Sequence, residues 1–322
     1  LKPFWLKGRN PTLRSCILVT HPLSSPMTLA TITVALWVAV QPAVGIQLVG
    51  RKGSSANTSS SGTSRTPLTN HDDIEYTAQV SLGGMNLDAV LDTGSFDVVI
   101  LSTECDWACG DVSLLYDHKK SHTYEEGTLV AEQFYGSGST KSLECWEDVV
   151  AGSTKSSQQV FWKVFDADMS LLQESSFQAI VGLGPPQSSI ALAQLDEEEA
   201  KKRLSSLSAG TAAYKEMEKT AALYKTIAEH AAEATSLAKN LELEAFSICL
   251  GKKAGSDGYF MWQDTDPQNR PHGMFRTIPA LNDLYWSTEL KDVSLGSLPS
   301  SHSDQTTEVG CHKEKCNAIF DT

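Results

Sequence analysis

The chain has 322 residues, of which 41% are hydrophobic and 20% are charged. This length and composition can bury a substantial core and indicate more than one globular unit with non-globular extensions. With 26 basic against 39 acidic residues, the net charge is -13, which argues against nucleic acid or an anionic membrane surface as a partner.

The N-terminal region has the pattern of a secretory leader. An apolar run over residues 29–40 precedes the small residues Ala43, Val44 and Gly45, which suit a signal-peptidase site. We therefore predict that residues 28–48 are a signal peptide or an uncleaved signal anchor, and that residues 1–27 are absent from the mature protein. Both alternatives place the protein in the secretory pathway: secreted, in a vacuolar or lysosomal lumen, or membrane-anchored with its main domain in the lumen.

A polar segment and a β-rich segment follow. Residues 49–73 are dominated by Ser, Thr and Gly and predict a flexible linker or a short pro-segment. Residues 74–187 consist of short apolar or alternating runs separated by Gly, Ser and Asp, which predicts an all-β lobe. The predicted strands are 76–82, 87–91, 98–101, 160–165 and 179–183, with a hairpin turn at Gly83 and Gly84.

Residues 188–243 change to Ala, Glu, Lys and Leu, which predicts a helix or helical hairpin inserted into the β structure. A stripe of apolar residues recurs there at spacings of three and four: Tyr214, Met217, Ala221, Tyr224, Ala228 and Ala231. The stripe either packs on the body of the protein or binds a partner helix. Residues 244–322 return to a strand pattern, at 246–250, 258–262 and 286–295, and are predicted to begin a second β lobe.

The seven cysteines include two closely spaced pairs, Cys105 with Cys109 and Cys311 with Cys316. Each pair could close a small disulfide loop. Zinc is the competing interpretation, but the spacings differ from the usual ones and no histidine pair stands at ligand spacing. A bond between Cys145 and Cys249 is left open. The sequence therefore predicts no metal site, and it has no phosphate-binding loop or serine nucleophile elbow.

An acidic turn occurs twice. Residues 92–95 read Asp-Thr-Gly-Ser after the apolar run 87–91, and Asp321 and Thr322 repeat the first half after residues 317–320. An aspartate at the end of a buried strand costs free energy unless its charge is satisfied or used. A single copy could simply cap a turn, whereas two copies indicate two halves of one site. The sequence ends before the Gly that should follow Thr322, so we expect a fragment that is inactive alone.

In order along the chain, these motifs resemble the pepsin-like aspartic proteases. The similar segments are the hairpin at 76–84, the turn at 92–95, the strand at 98–102, the paired Cys105 and Cys109, the Gly-rich hairpin at 134–139, the apolar segment at 177–184, and the approach to Asp321 through Cys311 and Cys316. The resemblance implies a mostly β, bilobal fold with a complete N-terminal lobe, a partial C-terminal lobe and a helical insertion.

The resemblance also implies an aspartic endopeptidase, monomeric and without a cofactor, that cuts proteins or peptides. Asp92 and Asp321 would share a proton and activate water, while Thr93 and Thr322 brace the two turns. Gly94 would permit the tight turn, and Ser95 would hydrogen-bond Asp92. Three residues would form the flap over the substrate: Tyr135, Gly136 and Ser137. The alternatives are an inert binding module, since Val99 replaces a frequent Trp, or an interaction protein that uses the helical insertion.

Overall fold

The protein is described from a computed structural model. The structure describes residues 15–20, 63–185, 188–233, 235–251, 253–264, 280–281, 284–290, 293–296, 306–311 and 316–320. The predicted signal segment at 28–48, Asp321 and Thr322 lie outside the described residues, as does most of the predicted linker.

Eleven described strands form one sheet, in the spatial order β1-β10-β11-β2-β3-β4-β9-β5-β8-β7-β6. The prediction of a mostly β fold is therefore confirmed. In chain order the strands are β1 (Ser15–Thr20), β2 (Ser64–His71), β3 (Glu75–Leu82), β4 (Met85–Asp92), β5 (Val98–Leu101), β6 (Glu125–Tyr135), β7 (Gly138–Ala151), β8 (Thr154–Asp168), β9 (Ala179–Gly182), β10 (Ala245–Leu250) and β11 (Gly258–Trp262).

The middle of this sheet is buried on both faces. All four residues of β5 and all four of β9 are buried, as expected for apolar runs that do not alternate with polar residues. Strand β9 runs parallel to β4 and antiparallel to β5. It therefore lies between the strand that precedes the 92–95 turn and the strand that follows it.

The helical insertion is also confirmed. Helix α1 (Ser188–Ser205) packs on α2 (Ala212–Glu233), and the short helix α3 (Leu237–Asn240) contacts β8 and β9. On the apolar stripe, Ala221 and Ala228 are buried. Burial raises the pKa of Tyr224 and the charge of Asp196 on α1 raises it further, so the stripe faces α1. Among the described helices, none is long and apolar enough to cross a membrane.

Two small sheets follow the large one. Strand β12 (Ser287–Leu290) pairs with β15 (Cys316–Ile319), and β13 (Val293–Gly296) pairs with β14 (Thr306–Gly310). The single strand predicted at 286–295 is thus two strands. Trp286, immediately before β12, is 9% exposed and belongs to the main apolar core, which ties this segment to the large sheet.

The large sheet extends beyond the predicted 74–187 lobe. Strand β2 lies within the predicted linker and pairs with β3 and β11, because Thr66 and Leu68 alternate into the core despite the polar composition. Strands β10 and β11 lie after the boundary predicted at residue 244 but belong to the same sheet as the N-terminal strands, because β11 pairs with β2. Strand β1 pairs with β10, although residues 1–27 were predicted to be absent from the mature protein; that processing stays a prediction.

Both close cysteine pairs form disulfides, Cys105 with Cys109 and Cys311 with Cys316, as predicted. The bond left open between Cys145 and Cys249 is not made. Cys145 is a buried free thiol whose sulfur lies 3.2 Å from the Tyr124 hydroxyl, and Cys249 is itself disulfide-bonded. Strand register places Cys249 opposite Cys16.

Candidate active site

The first acidic turn is attached to the end of β9 by backbone hydrogen bonds. Asp92 is the last residue of β4, and its carbonyl accepts the Leu183 N–H at 2.6 Å. The Gly184 N–H donates to the Ser95 carbonyl at 2.7 Å. Within the turn, the Gly94 N–H donates to Asp92 Oδ1 at 2.8 Å. The carboxylate is therefore held by its own turn, and the turn is held by the sheet.

Gly182 allows this close approach. A Cβ atom at Gly182 would lie 2.5 Å from three backbone atoms of Phe96, far inside van der Waals contact. Only a residue without a side chain lets β9 approach the turn so closely. The apolar segment 177–184, one of the segments that carry the resemblance, therefore packs directly against the first turn.

The second acidic segment meets the first at Phe320. The Thr93 hydroxyl donates to the Phe320 carbonyl at 2.8 Å, across 227 residues of sequence. The Phe320 N–H donates to the Trp286 carbonyl at 2.8 Å, and the Trp286 indole donates to the Leu183 carbonyl at 2.7 Å. The residue immediately before Asp321 is thus bonded to the residue immediately after Asp92.

The Gly-rich hairpin joins β6 to β7, with Tyr135 opposite Gly138 in register and Gly136 and Ser137 exposed at the tip. Tyr135 is half-buried and packs against an apolar cluster that includes Val99 and the Cys105–Cys109 disulfide. Burial raises the pKa of the Tyr135 hydroxyl, and the charges of Asp97 and then Asp92 raise it further. Tyr135 therefore lies within electrostatic reach of the candidate carboxylate, as its predicted role requires.

The structure differs from prediction at Ser95. The Ser95 hydroxyl is buried and makes no hydrogen bond within the described part of the chain, so the predicted bond to Asp92 is not made. The turn is instead fixed by the backbone bonds from β9 and by the Gly94 N–H. For Thr322, the predicted brace lies outside the described residues.

Sequence reasoning missed Asp97 and Trp162. Asp97 is five residues beyond Asp92, and burial raises its pKa to about 6 while a hydrogen bond from Trp162 opposes the rise. The sequence did carry a signal, since a second aspartate follows the first turn directly before the fully apolar strand β5. The sequence carried no comparable signal for Trp162, because its strand partner Val99 is 63 residues away in sequence.

Three features on a mostly β fold define the pepsin-like class of aspartic proteases. They are a partly buried acidic turn, a hydroxyl bond from that turn to the residue before a second Asp-Thr, and a Gly-rich hairpin within electrostatic reach of the turn. Residues 75–322 match the family of eukaryotic aspartyl proteases. The chain belongs to that family, and the expected pepsin-like fold is confirmed.

Individual relatives are distant. The chain is 26% identical to procardosin-B of Cynara cardunculus over 80% of its own length and 45% of the relative. It is 23% identical to pepsin A of Gallus gallus over 80% of the chain and 58% of the relative. A shorter match, 34% identical, aligns 40% of the chain with 33% of rhizopuspepsin-4 of Rhizopus niveus. The chain therefore spans less than two thirds of the length of each of these relatives.

Proposed function

We propose that the protein is an aspartic endopeptidase in which Asp92 and Asp321 form the catalytic pair. The observation that carries the proposal is the hydrogen bond from the Thr93 hydroxyl to the Phe320 carbonyl. It ties together two chain positions that are each adjacent to one of the two aspartates. Membership of the aspartyl protease family supports the same activity.

The proposed chemistry needs two carboxylates close enough that only one ionises readily. The ionised carboxylate takes a proton from a water between the pair, and that water attacks the carbonyl carbon of the scissile peptide. The protonated carboxylate donates to the developing oxyanion. Because the proton belongs to the pair, neither Asp92 nor Asp321 has a fixed role. No step requires a metal or cofactor.

The remaining site residues would support this chemistry. Thr93 and Thr322 would hold the two turns in register, and Gly94 would fix the Asp92 carboxylate through its N–H. Tyr135, with Gly136 and Ser137 at the hairpin tip, would close over the bound peptide and exclude water. The substrates would then be extended segments of proteins or peptides.

We further propose that the protein works in the secretory pathway. Two disulfides at Cys105–Cys109 and Cys311–Cys316 are typical of oxidising compartments. The leader or anchor at 28–48, a monomeric state, and a partner for the helical insertion stay predictions.

The test is cleavage of an unfolded protein at acidic pH, with pepstatin as inhibitor. The protein is made from its complete coding sequence, and the 322-residue chain is measured beside it. Asp92→Asn and Asp321→Asn should each lower kcat by a factor on the order of a thousand or more. The matched control is Asp88→Asn, on the same strand as Asp92, where the carboxylate accepts a hydrogen bond from the Gln79 amide; it should retain activity. Cleavage that survives both pair substitutions would contradict the proposal.

A further inference from the structure

The end of the Gly-rich hairpin is a regular two-stranded unit that leaves the sheet at an irregularity. Residues 130–135 of β6 pair without interruption with residues 138–143 of β7, and we call this unit the hairpin end. The register of β7 on β8 shifts between Lys141 and Ser142, where Phe165 is an extra residue on β8. Because such a bulge bends the strands and increases their twist, it decides the angle at which the hairpin end leaves the sheet.

Gln133 joins the two sides of this register shift. Its side-chain oxygen, Oε1, accepts a hydrogen bond from the Thr140 hydroxyl at 3.2 Å and another from the Ser142 hydroxyl at 2.7 Å. Thr140 lies before the shift and Ser142 after it. Both residues are buried, with 1% and 0% of their surface exposed, so neither hydroxyl can turn to bulk water for another acceptor. We call these two bonds the Gln133 clamp.

The clamp depends on the oxygen of the Gln133 amide. The amide nitrogen, Nε2, is buried and makes no hydrogen bond within the described part of the chain. A buried N–H group without a partner lowers the free energy of unfolding. The side chain therefore contributes through the two bonds that its oxygen accepts, and a side chain of the same length that keeps this oxygen should be able to replace it.

The clamp lies on the same face of the hairpin as Tyr135. Tyr135 is two residues beyond Gln133 on β6, and side chains two apart on a strand point to one face. On that face Tyr135 packs against the apolar cluster that contains Val99, a residue of the strand that follows the acidic turn. The opposite face carries an exposed ion pair at the same register shift, in which Lys141 bonds Asp166 at 2.8 Å.

We propose that Gln133 is a positioning residue: by holding Thr140 and Ser142 across the register shift, it fixes the angle of the hairpin end and so the place of Tyr135 over a bound peptide. The proposal rests on the peptidase function proposed above, which it deepens. Gln133 acts through Tyr135 and takes no part in the proton transfers between Asp92, Asp321 and water.

Amide hydrogen exchange of the 322-residue chain tests the clamp without any peptidase activity. Gln133→Met keeps the side-chain length but offers no acceptor for the two hydroxyls, so the protected amides of the hairpin end should exchange roughly tenfold faster. Gln133→Glu keeps both length and acceptor and should exchange like the wild type. The matched control is Lys141→Met, which removes the exposed bond at the same shift and should leave exchange unchanged. Equal exchange in the two Met variants would overturn the clamp.

The donor side of the clamp gives a second variant, which serves also if Gln133→Met fails to fold. Ser142→Ala removes the shorter of the two bonds and should speed exchange at the same amides. In the double variant with Gln133→Met, the combined effect should be smaller than the sum of the single effects, because both changes remove one bond. Strictly additive effects, or no effect of Ser142→Ala, would show that the two side chains do not act together.

The kinetic test uses the protein made from its complete coding sequence, at acidic pH, with kcat counted per pepstatin-titrated site. Misplacing Tyr135 should lower kcat of Gln133→Met roughly tenfold with little change in KM. Gln133→Glu, whose buried carboxyl stays neutral in acid, should restore kcat, and Lys141→Met should retain it. Faster exchange with an unchanged kcat would overturn the positioning role. If exchange behaves as expected but the wild type cleaves no peptide, the peptidase function fails and the clamp stands.

Discussion

The hydrogen bond from Thr93 to Phe320 can be removed with little change in shape. Thr93 is 2% exposed, and its hydroxyl donates to the Phe320 carbonyl at 2.8 Å. Thr93→Val replaces the hydroxyl with a methyl group and leaves that carbonyl without this donor. Because Phe320 is only half-buried, its carbonyl can regain a hydrogen bond from water. We therefore expect the free energy of unfolding to fall by about 1–1.5 kcal/mol, in the range of one ordinary hydrogen bond.

The expected loss has a global and a local measurement. In urea denaturation, a slope of about 2–3 kcal/mol per molar gives a midpoint roughly 0.5 M lower. Locally, the Phe320 N–H, which donates to the Trp286 carbonyl, should exchange with solvent roughly tenfold faster. The local effect is the informative one, since it reports whether the two acidic segments are held together by this bond.

The control is Thr77→Val, another buried threonine, 1% exposed, whose hydroxyl pairs with the His71 ring at 2.9 Å. It should cost a similar free energy of unfolding without selectively speeding exchange at Phe320. If Thr93→Val and Thr77→Val give the same Phe320 exchange at matched stability, the Thr93 bond does not hold the second segment, and the main argument for the paired site is lost.

Two further substitutions test the packing around the site. Gly182→Ala places a methyl group 2.5 Å from Phe96 backbone atoms and should lower the free energy of unfolding by about 1–3 kcal/mol. The control, Gly310→Ala, has open space around the new methyl group and should have little effect. Equal melting temperatures in the two variants would show that the turn can move aside. Lys163→Met removes a 1% exposed amino group that bonds Glu104 at 2.9 Å. Because the Glu104 carboxylate is 41% exposed, water can solvate it once the amino group is gone. We therefore expect urea denaturation to show a free energy of unfolding lower by a value on the order of 2 kcal/mol. A decrease above about 5 kcal/mol would contradict this account.

The strands that sequence predicted well are those whose burial follows from local pattern. Strand β5 is apolar at all four positions and is buried at all four, so its run of Val, Ile and Leu was sufficient. Strand β2 was missed because it reads Ser-Arg-Thr-Pro-Leu-Thr-Asn-His, a composition typical of linkers. Its assignment depends on pairing with β11, almost 200 residues later, and such pairing leaves no mark on the local pattern.

The same distinction applies to the candidate site. Asp92 could be found because its whole motif is contiguous, from the strand before it to the Gly that follows Thr93. The contact partner of Thr93 could be anticipated only through the repeated Asp-Thr, since no local rule brings residue 93 to residue 320. Ser95 was assigned a bond to Asp92 by resemblance, but a side chain's rotamer depends on neighbours that the motif does not specify, and its hydroxyl makes no such bond.

Val99 was the difference from the family pattern that most favoured a catalytically inert module, because the family often has Trp at this position. The structure weakens that argument. Val99 lies opposite Trp162 across the β5–β8 pair, and both belong with Tyr135 to one apolar cluster. An indole is therefore present in the apolar cluster that Val99 and Tyr135 share, supplied by the neighbouring strand β8. The absence of Trp at position 99 thus does not leave this cluster without an indole ring.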